Sequence, residues 1–377
     1  MRLFVPGQTD PQETRAAIVP MHALDLVKLG AQIEVEAGIG RSIDIADSEY
    51  EEAGVQVSRD RRALLSRAEM VLQIAAPRSE DIQHLAEGCI HVSCAAPFDQ
   101  IDGVRLLAAK KVIAISLALV PRTAVAQKMD VLSSQASLAG YAAVLLAADR
   151  QKNVLPMMMT PAGTIPPARV FVVGAGVAGL QAIATAKRLG ARVVAFDVRP
   201  DAQEQILSLG ARPLNVDLGA TEQTKDGYAK SLTDEQLQKQ RRAMAEQCAQ
   251  SDIVITTARV FGRRAPLIIT NQMLDGMKPG SIVVDLAVEA GGNVEASELG
   301  KEVQRKGVTI VGLPELQRRV PVTASRMLSS NLCSFVSHFR DKQAGRFVLN
   351  RDDEIIRNCL LACEGQVVNP LLKTAAG

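Results

Sequence analysis

Apolar positions along this chain fall into two kinds of run. Short β-branched runs at residues 70–75, 90–94 and 111–116 are typical of buried strands. Residues 20–29 instead carry apolar side chains at helical spacing and end before Gly30, which predicts a helix that packs on a sheet. Because such strands and helices alternate at short intervals, the first third of the chain predicts a parallel sheet with helical crossovers.

The same alternation returns later in the chain and predicts a second α/β domain. Residues 251–257, 280–286 and 308–311 predict buried strands. Residues 133–148 are rich in Ala and Leu and carry few charges, which predicts a buried helix that connects the domains. Residues 324–340 predict a long helix that returns the chain to the first domain.

The most informative run, residues 170–179, is a β-branched strand that leads into the pattern G-x-G-x-x-G. A proline-containing connector at residues 156–167 precedes it. Residues 181–189 predict a helix, and residues 190–197 predict a second strand that ends in Asp197. This order of strand, glycines, helix and terminal acid is that of a dinucleotide-binding βαβ unit.

Each glycine of the pattern has its own predicted role. Gly174 allows a tight turn, Gly176 lets the backbone approach a pyrophosphate, and Gly179 lets the helix pack closely on the sheet. The pyrophosphate would lie at the N-terminus of the helix. Asp197 would accept hydrogen bonds from the ribose and repel a 2′-phosphate, which favours NAD over NADP, although Arg199 weakens that preference. The alternative is a Rossmann-like domain that has lost its ligand.

Together these patterns predict an α/β protein with two Rossmann-like domains that have parallel sheets and are joined by long helices across an NAD cleft. The N-terminal domain is predicted to comprise residues 1–132 and 330–377, and the NAD(H)-binding domain residues 133–329. A length of 377 residues fits two domains, and 47% apolar residues suffice for their cores.

Charge and cysteine content exclude several classes of protein. The net charge is +2 and no basic patch is interleaved with aromatic residues, which argues against a nucleic-acid partner. The cysteines match no zinc spacing, so we predict no metal site and reduced, mostly buried thiols of a cytosolic protein. They are Cys89, Cys94, Cys248, Cys333, Cys359 and Cys363. No signal peptide is visible and no apolar run reaches about 18 residues, so we expect nothing to span a membrane.

Three segments outside the glycine pattern are candidates for chemistry. Arg122, Gln127 and Asp130 would clamp a carboxamide, with Gln127 and Asp130 on one face if helical; the alternative is a surface ion pair at a helix start. The Gly-Gly-Asn turn in residues 285–293 follows a strand and faces a ligand cleft, or is an ordinary loop. Tyr228 is a lid contact or a locally packed anchor in a polar segment.

Several segments together resemble the NAD(H)-binding component, called domain I or the α1 subunit, of the proton-translocating NAD(P) transhydrogenases. The resemblance covers nearly the whole chain. Its specific segments are residues 130–135, 156–160, 162–164, 166–170, 176–190, 227–230 and 285–293. These matches are longer and more specific than the glycine pattern alone.

The resemblance implies roles for individual residues. Those at the nicotinamide end, near the partner's NADP, are Arg122, Gln127 and Asp130. Those of the pyrophosphate turn are Gly174, Ala175, Gly176, Val177 and Gly179. Those around the adenosine ribose are Asp197, Val198 and Arg199. Those of a mobile loop over NAD are Gly227, Tyr228 and Gln240, and those that flank the nucleotide after the next strand are Thr257, Ala258 and Arg259.

The reaction that the resemblance implies is direct, Si/Re-specific hydride transfer from NADH to NADP⁺ held by a separate subunit. It would be coupled to proton translocation through a membrane-spanning subunit. The resemblance also implies a homodimer on the cytoplasmic side, peripheral to the inner membrane.

Two alternatives to this function stay open. An alanine dehydrogenase shares the fold and uses an Arg, a Lys and a His for its substrate. Here Arg15 remains, but Gln73 and Ser93 stand at the other two positions, with His91 out of register, so a 2-keto acid lacks a charge partner and a proton donor. A non-catalytic NAD-binding protein is disfavoured because Arg122, Gln127 and Asp130 are retained.

Three places depart from the family's usual pattern. Residues 6–8 read Pro-Gly-Gln, residues 312–320 differ from the usual turn, and Arg259 stands where an aliphatic residue is more common. These departures concern the details on the adenine side of the nucleotide and leave the predicted reaction class unchanged.

Overall fold

The computed structural model describes residues 1–216, 233–341 and 343–374. The strands are β1 (Arg2–Val5), β2 (Gln32–Glu36), β3 (Gln56–Ser58), β4 (Met70–Gln73), β5 (Ile90–Ser93), β6 (Ile113–Ser116), β7 (Met158–Thr160), β8 (Gly163–Ile165), β9 (Arg169–Val173), β10 (Arg192–Phe196), β11 (Arg212–Pro213), β12 (Ile253–Thr256), β13 (Ile282–Asp285), β14 (Glu302–Arg305), β15 (Val308–Val311), β16 (Leu360–Cys363) and β17 (Gln366–Val367). The helices are α1 (Pro20–Lys28), α2 (Asp47–Glu52), α3 (Arg61–Arg67), α4 (Ser79–His84), α5 (Ile101–Ala109), α6 (Val131–Arg150), α7 (Val177–Arg188), α8 (Ala202–Ser208), α9 (Asp234–Gln250), α10 (Asn271–Asp275), α11 (Pro321–His338), α12 (Glu354–Cys359) and α13 (Pro370–Thr374).

The chain divides into two compact units. The first comprises Met1–Gln135 and Arg318–Gly377, and the second comprises Ala136–Gln317. Helix α6 begins in the first unit and ends in the second, whereas α11 lies wholly in the first. The domain bounds predicted from the sequence stay a prediction.

The first unit is built on an eight-stranded sheet in the order β17-β16-β6-β5-β4-β1-β2-β3. Strands β1 to β6 are parallel, as the alternation of strands and helices predicts. Strands β16 and β17 come from the C-terminal part of the chain and add to the β6 edge as antiparallel neighbours. The predicted α/β class with mostly parallel sheets is therefore confirmed, and the antiparallel edge is a difference from the prediction.

The second unit is built on a seven-stranded sheet in the order β11-β10-β9-β12-β13-β15-β14, parallel except for β14. Its central strand β9 turns Val170 and Val172 toward one core and Phe171 toward the other, because side chains alternate along a strand. Helices α6 and α7 cover the first face, and α9 and α10 cover the second. Both faces of the sheet are thus buried, which is why its strands read as continuous apolar runs.

The connector predicted at residues 156–167 contains an antiparallel hairpin of β7 and β8, which was not predicted from the sequence. Every residue of both strands is exposed, and Met159 keeps 79% of its surface. Gly163 at the turn has φ +132°, a conformation that favours glycine. A two-stranded ribbon is marginally stable by itself, so its exposed Met and Ile side chains mark a surface that can bind another protein.

Helix α6 packs closely in the second unit through one glycine. A Cβ on Gly140 would lie 2.1 Å from the carbonyl oxygen of Ala178 in α7, so only glycine permits this approach. The expectation that no apolar run reaches about 18 residues is wrong for this helix. An 18-residue window of α6 has mean hydropathy 1.5 and is 44% buried, so its length and composition alone would allow it to cross a membrane. A single helix of this kind is weak evidence for a membrane span, because core helices pass the same test.

The cysteine thiols lie mostly in the cores, as predicted. All six are free, five are buried, and Cys94 is partly exposed. Burial raises the pKa of the Cys89, Cys94 and Cys248 thiols to about 12, which keeps them protonated at neutral pH.

We therefore expect the folded protein to resist thiol reagents at pH 8. Cys94 should react before the other thiols because it is partly exposed, yet slowly, because its thiol is protonated at that pH. The measurement is the absorbance released by a disulfide reagent, with the urea-unfolded chain, in which all six thiols react, as the reference. Cys94→Ser should remove the first phase, and fast-reacting thiols in that variant would contradict the burial of the other five.

Candidate functional site

The glycine pattern lies at the carboxyl edge of the second unit's sheet. Strands β9, β10 and β12 are parallel, so the residues that follow them meet at one edge. Gly174 follows β9, Asp197 follows β10 and Thr257 follows β12. Edges of this kind are where doubly wound α/β folds bind their ligands.

The structure gives each of the three glycines a different steric environment. A Cβ on Gly174, which has φ +95°, would lie 2.5 Å from the Thr257 hydroxyl oxygen. A Cβ on Gly179 would lie 1.8 Å from the carbonyl oxygen of Gly174. A Cβ on Gly176 would meet nothing within 4 Å. The turn thus needs Gly174 and Gly179 for its own packing, whereas the space over Gly176 is open to a ligand.

Thr257 fastens the turn from the neighbouring strand. Its hydroxyl lies 3.1 Å from the carbonyl oxygen of Gly174 and 3.2 Å from that of Val173, and it donates its single proton to this pair. The space left by the two missing Cβ atoms is therefore filled by a hydroxyl. Thr257 was predicted from the sequence to lie beside the nucleotide, but its contact with the glycines was not.

Helix α7 begins directly after the open space. Gly176 precedes its first residue, Val177, and accepts the N–H of Leu180 at 2.8 Å. The earlier N–H groups of the helix have no intrahelical acceptors and carry the positive end of the helix dipole. A pyrophosphate fits this position, because its oxygens need N–H donors and a backbone without a Cβ in the way.

Asp197 is nearly buried and already has several donors. Its carboxylate accepts the N–H of Ala175 at 2.7 Å and the N–H of Arg199 at 2.9 Å. The Arg199 guanidinium also donates to both carboxylate oxygens at 3.0 Å, and to the Ala175 carbonyl at 3.2 Å. Arg199 thus occupies the acceptors that the sequence pattern predicts for the ribose.

We expect Asp197→Asn to reduce the preference for NADH over NADPH. The variant removes the charge that repels a 2′-phosphate and releases Arg199 to bind one. The affinity for NADH should fall about tenfold, the cost of a lost charge-assisted hydrogen bond, while NADPH binding improves. Fluorescence titration with each nucleotide measures both.

The matched control for this variant is Asp252→Asn at the opposite edge of the sheet, where Asp252 accepts the N–H of Arg169 at 2.7 Å. It should leave the ratio of the two affinities unchanged. An unchanged ratio in Asp197→Asn as well would remove Asp197 from nucleotide discrimination.

The remaining predicted residues of the second unit differ in how far they surround the turn. Arg259 follows Ala258 at the same sheet edge and pairs with Glu289 at 3.5 Å. Gln240 lies in α9, nine-tenths buried, with its Nε2 3.5 Å from the Met244 sulfur and its Oε1 without a described donor. Val198 lies next to Asp197 and is half-buried. Gly227 and Tyr228 lie outside the described residues.

Arg122, Gln127 and Asp130 lie in the first unit, between β6 and α6. Arg122 and Gln127 are exposed. Gln127 belongs to a 3-10 turn at Ala126–Met129, and Asp130 follows that turn in extended conformation. The expected shared helical face of Gln127 and Asp130 is therefore wrong. Asp130 instead caps α6, accepting the N–H of Ser133 at 2.9 Å and its hydroxyl at 2.6 Å.

The positions that correspond to a 2-keto acid site are buried in the first unit. The Arg15 guanidinium donates to both oxygens of Glu13, at 2.7 and 2.6 Å, and to Gln135 at 3.0 Å. His91 lies 3.3 Å from Gln73, and burial lowers the pKa of its imidazole to about 4. The pairing of Arg15 with Glu13 was missed from the sequence, although the opposite charges stand only two residues apart.

Metal chemistry finds no support in the described ranges. There, no three His, Cys, Asp or Glu side chains come together as a metal site requires. The donors and acceptors at the sheet edge are backbone groups, hydroxyls and one carboxylate, a set suited to a nucleotide.

Comparison with known protein families gives two matches that together span most of the chain. Residues 4–139 match the N-terminal domain of the alanine dehydrogenase/PNT family, and residues 143–370 match its C-terminal domain. The chain belongs to this family. Because the family's description joins two kinds of protein, the individual relatives decide between them.

These relatives favour the transhydrogenase branch. The chain is 41% identical to an NAD(P) transhydrogenase subunit alpha chain of Rhodospirillum rubrum, over 99% of both chains. A solved structure of transhydrogenase from Sinorhizobium meliloti is 42% identical with TM-score 0.87, covering 98% of this chain and 100% of that one. A solved L-alanine dehydrogenase has TM-score 0.83 at 22% identity, over 100% of this chain and 99% of that one, and shows the shared fold alone.

The resemblance stated from the sequence is therefore confirmed. The chain is an alpha-type transhydrogenase component, an oxidoreductase of this family. Membership in the family also implies NAD(H) binding, as predicted from the glycine pattern and Asp197.

Proposed function

We propose that this chain is the NAD(H)-binding subunit of a proton-translocating transhydrogenase. It transfers hydride between its own NADH and NADP⁺ bound on a partner subunit. The observation that carries the proposal is the open space over Gly176, between a helix N-terminus and Asp197, in a chain 41% identical to a transhydrogenase alpha subunit. NADH supplies the hydride when bound, and the protein supplies binding and orientation.

The residues divide the work of binding. The N–H groups at the start of α7 hold the pyrophosphate against Gly176, and Asp197 releases Arg199 to accept the ribose hydroxyls. Thr257, Ala258 and Arg259 flank the nucleotide. Gly227, Tyr228 and Gln240 close over it. Arg122, Gln127 and Asp130 orient the nicotinamide carboxamide, so that hydride leaves toward the partner's nucleotide.

Partner chains follow from the same proposal. One holds NADP(H) and another spans the membrane, so this subunit lies on the cytoplasmic side, peripheral to the inner membrane. The chain also matches 72% of a longer NAD(P) transhydrogenase subunit alpha of Haemophilus influenzae, which supports a further component elsewhere in the assembly. The exposed Met and Ile side chains of the β7–β8 hairpin support a homodimer.

The experiment that tests the function is a reconstitution. The purified chain alone should bind NADH, seen as a change in nicotinamide fluorescence, without reducing an NADP analogue. Addition of a purified NADP(H)-binding component should start hydride transfer. Transfer by the chain alone, or none with the partner present, would overturn the proposal.

The same preparation separates the alanine dehydrogenase alternative. Alanine and NAD⁺ should give no NADH, because Gln73 and Ser93 provide neither an amine nor an imidazole and Arg15 is paired with Glu13. NADH formation in that assay would favour the alternative instead.

A further inference from the structure

Asp285, at the end of β13, is a fully buried carboxylate held by neutral donors. Its Oδ1 accepts the Thr256 hydroxyl at 3.1 Å and the Ala287 N–H at 2.9 Å. Its Oδ2 accepts the N–H of Asn293 at 3.0 Å and the N–H of Val294 at 3.2 Å. The carboxylate therefore closes residues 285–294 into one rigid loop and fixes the backbone of Asn293.

Asn293 uses its fully buried side chain to hold a different strand end. Its Oδ1 accepts the N–H of Ala258 at 3.0 Å, and its Nδ2 donates to the carbonyl of Ala258 at 2.8 Å. The second Nδ2 proton goes to the carbonyl of Pro266 at 2.8 Å. The amide thus pairs with both backbone groups of one residue, as a neighbouring strand would, although Ala258 lies beyond the end of β12.

The residue so held stands directly beside the glycine turn. Ala258 follows Thr257, whose hydroxyl contacts the Gly174 carbonyl and fills the space that Gly174 and Gly179 leave. A continuous set of contacts thus runs from Asp285 through Asn293, Ala258 and Thr257 to the turn. Neither Asp285 nor Asn293 has surface for a ligand, since both are fully buried.

We propose that Asn293, fixed by Asp285, is a positioning residue that sets the NADH affinity by holding Ala258 and Thr257 against the glycine turn. This inference rests on the proposed function, since it requires that NADH binds at the turn. The amide acts at a distance through backbone, so its loss weakens nucleotide binding and leaves the reacting nicotinamide unaffected.

The test is Asn293→Asp, which keeps the shape and replaces the Nδ2 donor by an oxygen. That oxygen would face two carbonyl oxygens, those of Ala258 and Pro266, and push the segment away from the turn. We expect the dissociation constant for NADH to rise about tenfold or more. With partner present and NADH saturating, the transfer rate should stay within about twofold of the parent protein.

The chain offers a matched control in Asn369→Asp. Asn369 is also buried, donates Nδ2 to the carbonyls of Asn358 and Leu360 at 2.8 and 3.0 Å, and accepts the Leu371 N–H at 3.1 Å, but it lies in the first unit. Both variants should lower the unfolding temperature, and only Asn293→Asp should raise the dissociation constant. Equal NADH affinity in the two variants would overturn the inference.

Thr257→Val decides the matter if Asn293→Asp does not fold. It removes one hydroxyl from the same set of contacts and should raise the NADH dissociation constant about fivefold. An unchanged constant in Thr257→Val would overturn the inference as well. Failure of the proposed function looks different, because the parent protein and Asn369→Asp would then not bind NADH either.

Discussion

Replacing Gly176 with alanine is expected to weaken NADH binding about a hundredfold while leaving the protein folded. Gly176 has φ −75°, which alanine adopts readily, and a Cβ there meets no atom within 4 Å. The added methyl group therefore costs nothing in packing and stands where the pyrophosphate would approach. Alanine is a poorer N-cap than glycine, so the free energy of unfolding should fall by less than about 1 kcal/mol.

Two other glycines serve as comparisons for Gly176→Ala. Gly103→Ala in α5 also meets nothing within 4 Å and should leave NADH binding unchanged. Gly179→Ala would bring a Cβ to 1.8 Å from the Gly174 carbonyl oxygen and should lower both stability and affinity. Nucleotide titration and thermal unfolding of all three separate a steric effect on the ligand from one on the fold. Unchanged affinity in Gly176→Ala would mean that the pyrophosphate does not lie against Gly176.

The strands of both sheets were predictable because their physical cause is local. Residues 170–173 are consecutive β-branched or aromatic residues, and a strand buried on both faces selects such a run without alternation. The helices α1, α6, α7 and α11 were predictable from length and glycine or proline boundaries. These signals lie within about twenty residues of one another along the chain.

Elements that depend on distant partners were not predictable. The β7–β8 hairpin is fully exposed, so no alternation of apolar and polar residues marks it. Strand β16 pairs with β6 from more than two hundred positions away, and its antiparallel direction follows from where the chain returns. Short helices such as α2 and α4 have six residues each, too few to show a helical period.

The candidate site divides along the same line. The three glycines and Asp197 were predictable because a motif fixes their spacing. The ion pair of Asp197 with Arg199 and the hold of Asn293 on Ala258 were not, because each is a choice among several possible partners made by the folded backbone. Asp130 shows the reverse error, since its spacing from Gln127 suggested a shared face and the chain used it as a helix cap instead.

Replacing Arg122 with alanine is expected to slow hydride transfer about a hundredfold and to change the NADH dissociation constant by less than about threefold. The guanidinium is exposed, so its removal should cost little folding free energy. Its planar donors suit the carbonyl oxygen of a carboxamide, and misplacing the nicotinamide affects the transfer step more than the binding of the whole nucleotide. Single-turnover transfer to an NADP analogue on the partner measures the rate, and fluorescence titration measures the affinity.

Two further variants show which property of Arg122 matters. Arg122→Lys keeps the charge without the forked donors, so it should recover only part of the lost rate. Arg105→Ala removes another exposed arginine of the first unit, one that pairs with Asp102 at 3.0 Å, and should leave rate and affinity unchanged. Equal losses of rate and affinity in Arg122→Ala would assign Arg122 to binding alone. A loss of rate that Arg105→Ala shares would point to net surface charge, because an attraction between the two partner subunits weakens when either arginine is removed.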